Sequence, residues 1–209
     1  MAEVQTAASQ AALTPDAALA KLKAGNQRFV SGTMVERDLN AQVAATAGGQ
    51  YPHSIVLSCI DSRVPPELVF DQGIGDIFAP RIAGNFVDED ILGSMEFAAA
   101  VAGSKAILVL GHTECGAVKG ACDDVKLGNL TRTLSNIRPA VEAIAGFDGE
   151  RTSANKAFVS AVTLENVRQT VDNILARSEV LAELADAGKL AVVGALYDVS
   201  SGEVTFLQD

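Results

Sequence analysis

Lys105-Ala-Ile-Leu-Val-Leu-Gly111 is nearly continuous in apolar residues, and its reading decides the fold. A run that short with no polar face is a strand covered on both sides, as in a parallel sheet between helices. His53-Ser-Ile-Val-Leu-Ser-Cys-Ile60 reads as a second strand of the same kind, and residues 76–82 as a third. Helix signals surround them. Thr14 offers an N-cap hydroxyl, Pro15 suits the first helical position and Asp16 favours the positive end of the helix dipole, for a helix ended near Ser31 and Gly32. Further helices are expected at 90–101, stopped by Gly103, from 116 to 121, and over 154–177, where Phe158, Val162, Val167, Val171, Ile174 and Leu175 share an apolar side. Ser178 caps a short helix closed by Gly188, and strands 190–196 and 203–207 flank the turn Asp198-Val-Ser-Ser-Gly202. The expected class is therefore α/β, a mainly parallel β-sheet flanked by helices with an antiparallel C-terminal edge strand. Residues 1–13, small and polar, read as an N-terminal arm that is mobile or lies against a partner, and 14–209 as a single domain.

Composition narrows the function. The 209 residues are 48% hydrophobic and 20% charged, enough apolar material for one substantial core. A formal charge of −10 disfavours a nucleic-acid backbone binder, and 5% aromatics with no Trp disfavours a base-stacking platform. No window is long and apolar enough for a membrane span, and Met1-Ala-Glu-Val-Gln-Thr-Ala-Ala-Ser-Gln10 has no basic region followed by an apolar one, so a cytoplasmic location is expected. Three cysteines, an odd number, argue against a disulfide framework.

Ligands of parallel sheets sit beyond the C-terminal ends of the strands. Cys59 ends the first buried strand, and His112 and Cys115 follow the best one. If the two strands are neighbours, three metal ligands converge with a fourth position open, which is a catalytic rather than a structural zinc arrangement. The opposing reading, two packed thiols and a loop histidine, must place all three at strand ends by chance. Asp61 and Arg63 leave the same strand, so an Asp held ionised by a bidentate Arg can orient a metal-bound water.

Cys59-Ile-Asp-Ser-Arg63 followed by His112-Thr-Glu-Cys115 resembles the pattern of the β-class carbonic anhydrases. The likeness continues through Arg63-Val-Pro-Pro-Glu67, Gly75-Asp-Ile-Phe-Ala-Pro-Arg-Ile-Ala-Gly-Asn85 and Gly111-His-Thr-Glu-Cys-Gly-Ala-Val-Lys-Gly120, and covers 14–207. The resemblance implies Zn2+ on Cys59, His112 and Cys115, a catalytic dyad of Asp61 and Arg63, and a homodimer or tetramer. It also implies a substrate pocket for CO2 and bicarbonate that includes Gln50, Phe78, Ala83 and the backbone of Gly116. The implied reaction is reversible hydration of carbon dioxide to bicarbonate and a proton, by a hydroxide formed where zinc lowers the pKa of its water. Two thiolates cancel the formal charge of Zn2+, so activity is expected to rise with pH across the neutral range. The alternative within the superfamily is hydrolysis of carbonyl sulfide or carbon disulfide on the same site. A zinc-stabilised scaffold or thiol redox sensor is a third reading, and the Asp61 and Arg63 pair speaks against it.

Other residues read more plainly. Cys122 is expected to be a packed free thiol, and Gly73 and Gly75 to make a turn. His53 is expected either to relay protons at the pocket mouth or to sit solvated at a strand end. Arg81 reads as a structural bridge between segments. Some members of the family hold an inhibitory bicarbonate beside this Arg and a Trp, and Val56 stands at the Trp position here.

Overall fold

The computed structural model describes residues 4–207, so the expected arm and domain are followed over 4–13 and 14–207. The chain runs α1 (Ala7–Ala11), α2 (Pro15–Ser31), α3 (Leu39–Thr46), β1 (Ser54–Ser58), α4 (Pro66–Val69), β2 (Ile77–Phe78) and α5 (Glu89–Glu96). A π-helical turn, Phe97–Val101, continues α5, and β3 (Ala106–His112), α6 (Gly116–Cys122), α7 (Leu130–Ser135) and α8 (Arg138–Ala143) follow. The last elements are α9 (Lys156–Arg177), α10 (Glu179–Asp186), β4 (Ala191–Tyr197) and β5 (Val204–Phe206). One sheet has the order β2-β1-β3-β4-β5, and every pairing is parallel except β4 with β5. This is the expected class.

Side-chain alternation explains why β3 has no polar face. Ile107 and Val109, with Ile55 and Leu57 of β1, pack on Val167 and Ile174 of α9, Met95 of α5 and Leu181 of α10. Leu108 and Leu110, with Val56, point the other way, onto Leu22 of α2 and Val69 and Phe70 around α4. Each of these side chains gains about 1.5–3 kcal/mol by leaving water. A third apolar cluster, built on α6, α7, α8 and Phe158 of α9, lies beyond the strand ends and takes in Cys59 and Cys115.

Local signals set most helix ends. Thr14 Oγ1 accepts the Ala17 amide at 3.2 Å, and Gly32 closes α2 with φ 68°. Ser178 caps α10 and Gly188 follows it at φ 66°. The expected strand 76–82 is shorter, because Pro80 has no N–H to donate: only Ile77–Phe78 forms a ladder, and one further bridge joins Ser58 to Arg81. The polar stretch before β1 contains α3, capped by Asp38, and the unassigned region after α6 contains α7 and α8. The expected arm is tied to its own body, since the Gln10 amide donates to the carbonyls of Pro52 and Ala102, both at 2.8 Å.

Helix α9 sits unusually close to the sheet because two glycines face it. A Cβ on Gly111 would lie 2.4 Å from Val167 Cγ2, and one on Gly194 would lie 2.7 Å from Val167 Cγ1. Gly111→Ala should therefore cost about 1–3 kcal/mol through overpacking, read as a lower urea midpoint; an unchanged midpoint would show that α9 shifts freely.

Candidate metal centre

Parallel pairing of β1 with β3 matches Ser58 to Leu110, so the residues leaving the two strands emerge side by side. Cys59 is the first residue after β1, His112 the last of β3, and Cys115 the N-cap of α6. Their ligand atoms lie within 4.8 Å of one another, and the two sulfurs are 4.0 Å apart. Two Zn–S bonds of about 2.3 Å at a tetrahedral angle would separate their sulfurs by roughly 3.8 Å. The sulfur spacing fits.

The histidine is pre-set in one tautomer. Its Nδ1 lies 2.8 Å from the Thr113 carbonyl, which only accepts, so Nδ1 carries the hydrogen and Nε2 keeps its lone pair. Nε2 is buried and has no hydrogen-bond partner among the described residues. A buried lone pair left open beside two thiols is costly in a metal-free protein and is what a metal needs.

The two thiols share a proton. The Cys59 thiol is lowered to about 4, chiefly by its contact with Cys115 and against the effect of burial, with smaller contributions from His112 and the Gly84 N–H at 3.4 Å. Cys115 moves the opposite way, pushed up first by Cys59 and then by burial. The directions describe one thiolate facing one thiol, because two anions this close and this buried repel.

Asp61 stands beside this cluster without joining it. Arg63 holds it with Nε to Oδ1 at 2.9 Å and Nη2 to Oδ2 at 2.7 Å, and the Arg63 amide adds 3.0 Å to Oδ1. That grip keeps the carboxyl well below the usual carboxylate range. Its Oδ2 is 4.0 Å from His112 Nε2. Arg81 donates Nε to the Cys59 carbonyl at 2.9 Å and Nη2 to the Asp61 carbonyl at 2.6 Å, so it pins the backbone that carries both side chains. Gly84 brings the next segment against the Cys59 sulfur at φ 85°, and a Cβ there would meet Ile137 at 2.3 Å.

A cavity of about 240 Å³ opens over Cys59 and Asp61, bounded by Ala83, Gly116, Ala117, Gly120, Leu130 and Leu134. Two of the four expected pocket residues are therefore present, Ala83 and Gly116. Gln50 and Phe78 are not brought here by the chain that carries them. Gln50 is exposed before the start of β1, a strand rising about 3.3 Å per residue away from it, and Phe78 pairs in register with Ile55 and lines a separate groove with Phe97. Leu130 and Leu134 were missed because nothing in the sequence around them marks a helix; their four-residue spacing is the signal that was there. His53 overturns both expectations. It is 1% exposed and bonded through Nδ1 to Ser54 and Nε2 to Gln72, at the end of β1 opposite to Cys59. Cys122 is a buried free thiol pushed up to about 11 by burial, as expected of a packed residue.

Comparison with known proteins follows this geometry. The protein-family profile described as carbonic anhydrase matches residues 54–204. A curated relative, carbonic anhydrase 2 of Mycobacterium tuberculosis, is 38% identical over 191 residues, covering 90% of each chain. The β-carbonic anhydrase CafA of Aspergillus fumigatus superposes with a TM-score of 0.74 at 27% identity over 92% of this chain and 90% of its own. A tetrameric β-carbonic anhydrase of Sordaria macrospora gives 0.71 at 25% identity over 81% and 91%.

Metal uptake should displace the shared proton. With Cys59 favoured as the thiolate and Cys115 as the thiol, the pair holds one proton, so zinc binding near neutral pH should release about one proton per chain. Calorimetry in buffers of different ionisation enthalpy measures it. Cys59→Ser should bind little zinc by elemental analysis, and full occupancy in that variant would remove Cys59 from the ligand set.

Proposed function

Because the chain belongs to the β-class carbonic anhydrase family, we propose that it reversibly hydrates carbon dioxide to bicarbonate and a proton, with zinc held by Cys59, His112 and Cys115. The observation that carries this reading is the buried His112 Nε2, unpartnered among the described residues and facing two sulfurs, beside a carboxylate kept ionised and outside the cluster. When bound, zinc supplies a Lewis acid that acidifies water and so provides a nucleophile at neutral pH.

The chain's own residues do the rest. Arg63 keeps Asp61 anionic, so the carboxylate can accept a hydrogen bond from the reacting oxygen and aim its lone pair at carbon. With its carboxyl held so far below neutral pH, Asp61 is a poor proton store and acts as an orienting acceptor rather than a base. Arg81 is a positioning residue that keeps the ligand backbone and the Asp61 backbone in one frame. The small, apolar wall of Ala83, Ala117, Leu130 and Leu134 suits an uncharged linear substrate. Proton exit does not use His53, which is enclosed at the other end of β1. If Gln50 and Phe78 touch substrate as the family resemblance implies, a second copy supplies them; the tetrameric relative and exposed Phe97 (49%) and Val101 (73%) support a homo-oligomer. Three free cysteines support residence in the cytoplasm.

Stopped-flow measurement of CO2 hydration on metal-quantified protein tests the reading. Turnover should be present and should rise with pH across the neutral range in concentrated buffer. Turnover of carbonyl sulfide with no CO2 hydration would overturn it. Asp61→Asn should retain zinc and lose about 10- to 100-fold in rate, since the amide neither replaces the anionic acceptor nor pairs with Arg63. Normal turnover in that variant would reduce Asp61 to a loop cap.

A further inference from the structure

At the end of β1 remote from the metal ligands, a polar cavity of about 230 Å³ lies among Gln5, Lys21, Arg28, Arg37, His53 and Asp71. Asp71 is wholly buried, and its carboxylate is already filled by Arg28 Nε at 2.5 Å, by Arg37 Nη1 and by the Val35 amide at 3.2 Å. Arg37 also donates Nη2 to the Asp71 carbonyl at 2.5 Å. These bonds fix two guanidinium groups in place without using all their donors. Arg37 Nε and Gln5 Nε2 are buried and have no acceptor among the described residues. Arg28 engages only its Nε, and Lys21 makes no hydrogen bond or ion pair among the described residues.

The wall therefore has open donors from Lys21, Arg28 and Arg37. Both ring nitrogens of His53 are engaged by Ser54 and Gln72, and Asp76, the other carboxylate of the lining, receives the Gly73 amide on Oδ2 at 2.7 Å, which leaves Oδ1 as the open acceptor. Three cations face two carboxylates, one of them filled, on a chain whose formal charge is −10. Guanidiniums locked by a carboxylate bind an acceptor-rich group with little ordering cost.

We propose that this cavity is a binding site for a small phosphate-type oxyanion, separate from the metal centre. The open donors of Lys21 and Arg28, with the second Nη2 hydrogen of Arg37, exceed what the two oxygens of a carboxylate can satisfy and suit a group with oxygens on several sides. The ligand is free phosphate or the phosphoryl group of a small monoester, which share this chemistry. The inference does not rest on the enzymatic reading.

Calorimetry on the zinc-loaded protein, at constant ionic strength, tests it with inorganic phosphate in one arm and glycerol phosphate in the other. Saturable binding in either arm is expected, and the tighter arm identifies the source. Lys21→Gln should weaken that binding about tenfold, one charge-assisted hydrogen bond of about 1.4 kcal/mol, while CO2 hydration is unchanged. Arg37→Lys, which keeps the charge beside Asp71 and removes the open Nη2 donor, should weaken it too. No binding in either arm, or binding insensitive to both substitutions, would overturn the proposal; in the second case phosphate resides at the metal centre.

Discussion

The parallel register of β1 on β3 is the constraint on which the rest of the molecule depends. With Ser58 opposite Leu110, the strand that ends in Cys59 and the strand that ends in His112 deliver their termini to one place, and the turn into α6 adds Cys115. That register requires cover on both faces, because Ile55–Leu57 of β1 and Ala106–Leu110 of β3 are apolar on both. Helices α9 and α2 supply it, and α9 comes near enough only because residues 111 and 194 lack a Cβ. The metal centre is thus a by-product of sheet packing: no ligand sits on a long loop, and each is placed by an element held by the core.

Charge at that centre is balanced in layers. Two thiols that repel as a pair of anions, a histidine whose open nitrogen has no partner among the described residues, and a carboxylate restrained by its own arginine form a set that suits a metal. Arg81, two segments away, serves the set without touching a ligand atom, since its donors hold the carbonyls of Cys59 and Asp61. Those bonds use two of its donors for structure.

The opposite end of β1 is organised on the reverse principle. There a buried carboxylate orders cations, and the surplus of donors faces a cavity rather than a metal. Both ends are polar assemblies closed off by the same apolar sheet, so each can be specialised without disturbing the other.

Much of this was legible from residue order. The continuous apolar runs at 55–57 and 106–110, the Thr14 and Ser178 caps and the glycines that end helices are local signals, and local signals report on the chain that carries them. The three ligands and the Asp61–Arg63 pair were legible because their spacing from strand ends is itself local. Helices α3, α7 and α8 were not, because they are short and their stability comes from what they pack on rather than from pattern. The sequence by itself determined the sheet, its long helices and the three candidate metal ligands. Only the tertiary structure decided that His53 is enclosed, that the bridge expected of Arg81 runs to the Cys59 and Asp61 carbonyls, that Gln50 and Phe78 lie away from their own chain's pocket, and that Asp71 gathers Arg28 and Arg37. Each of those facts is a contact between segments distant in the chain, and such contacts leave no periodicity or spacing in the sequence to read.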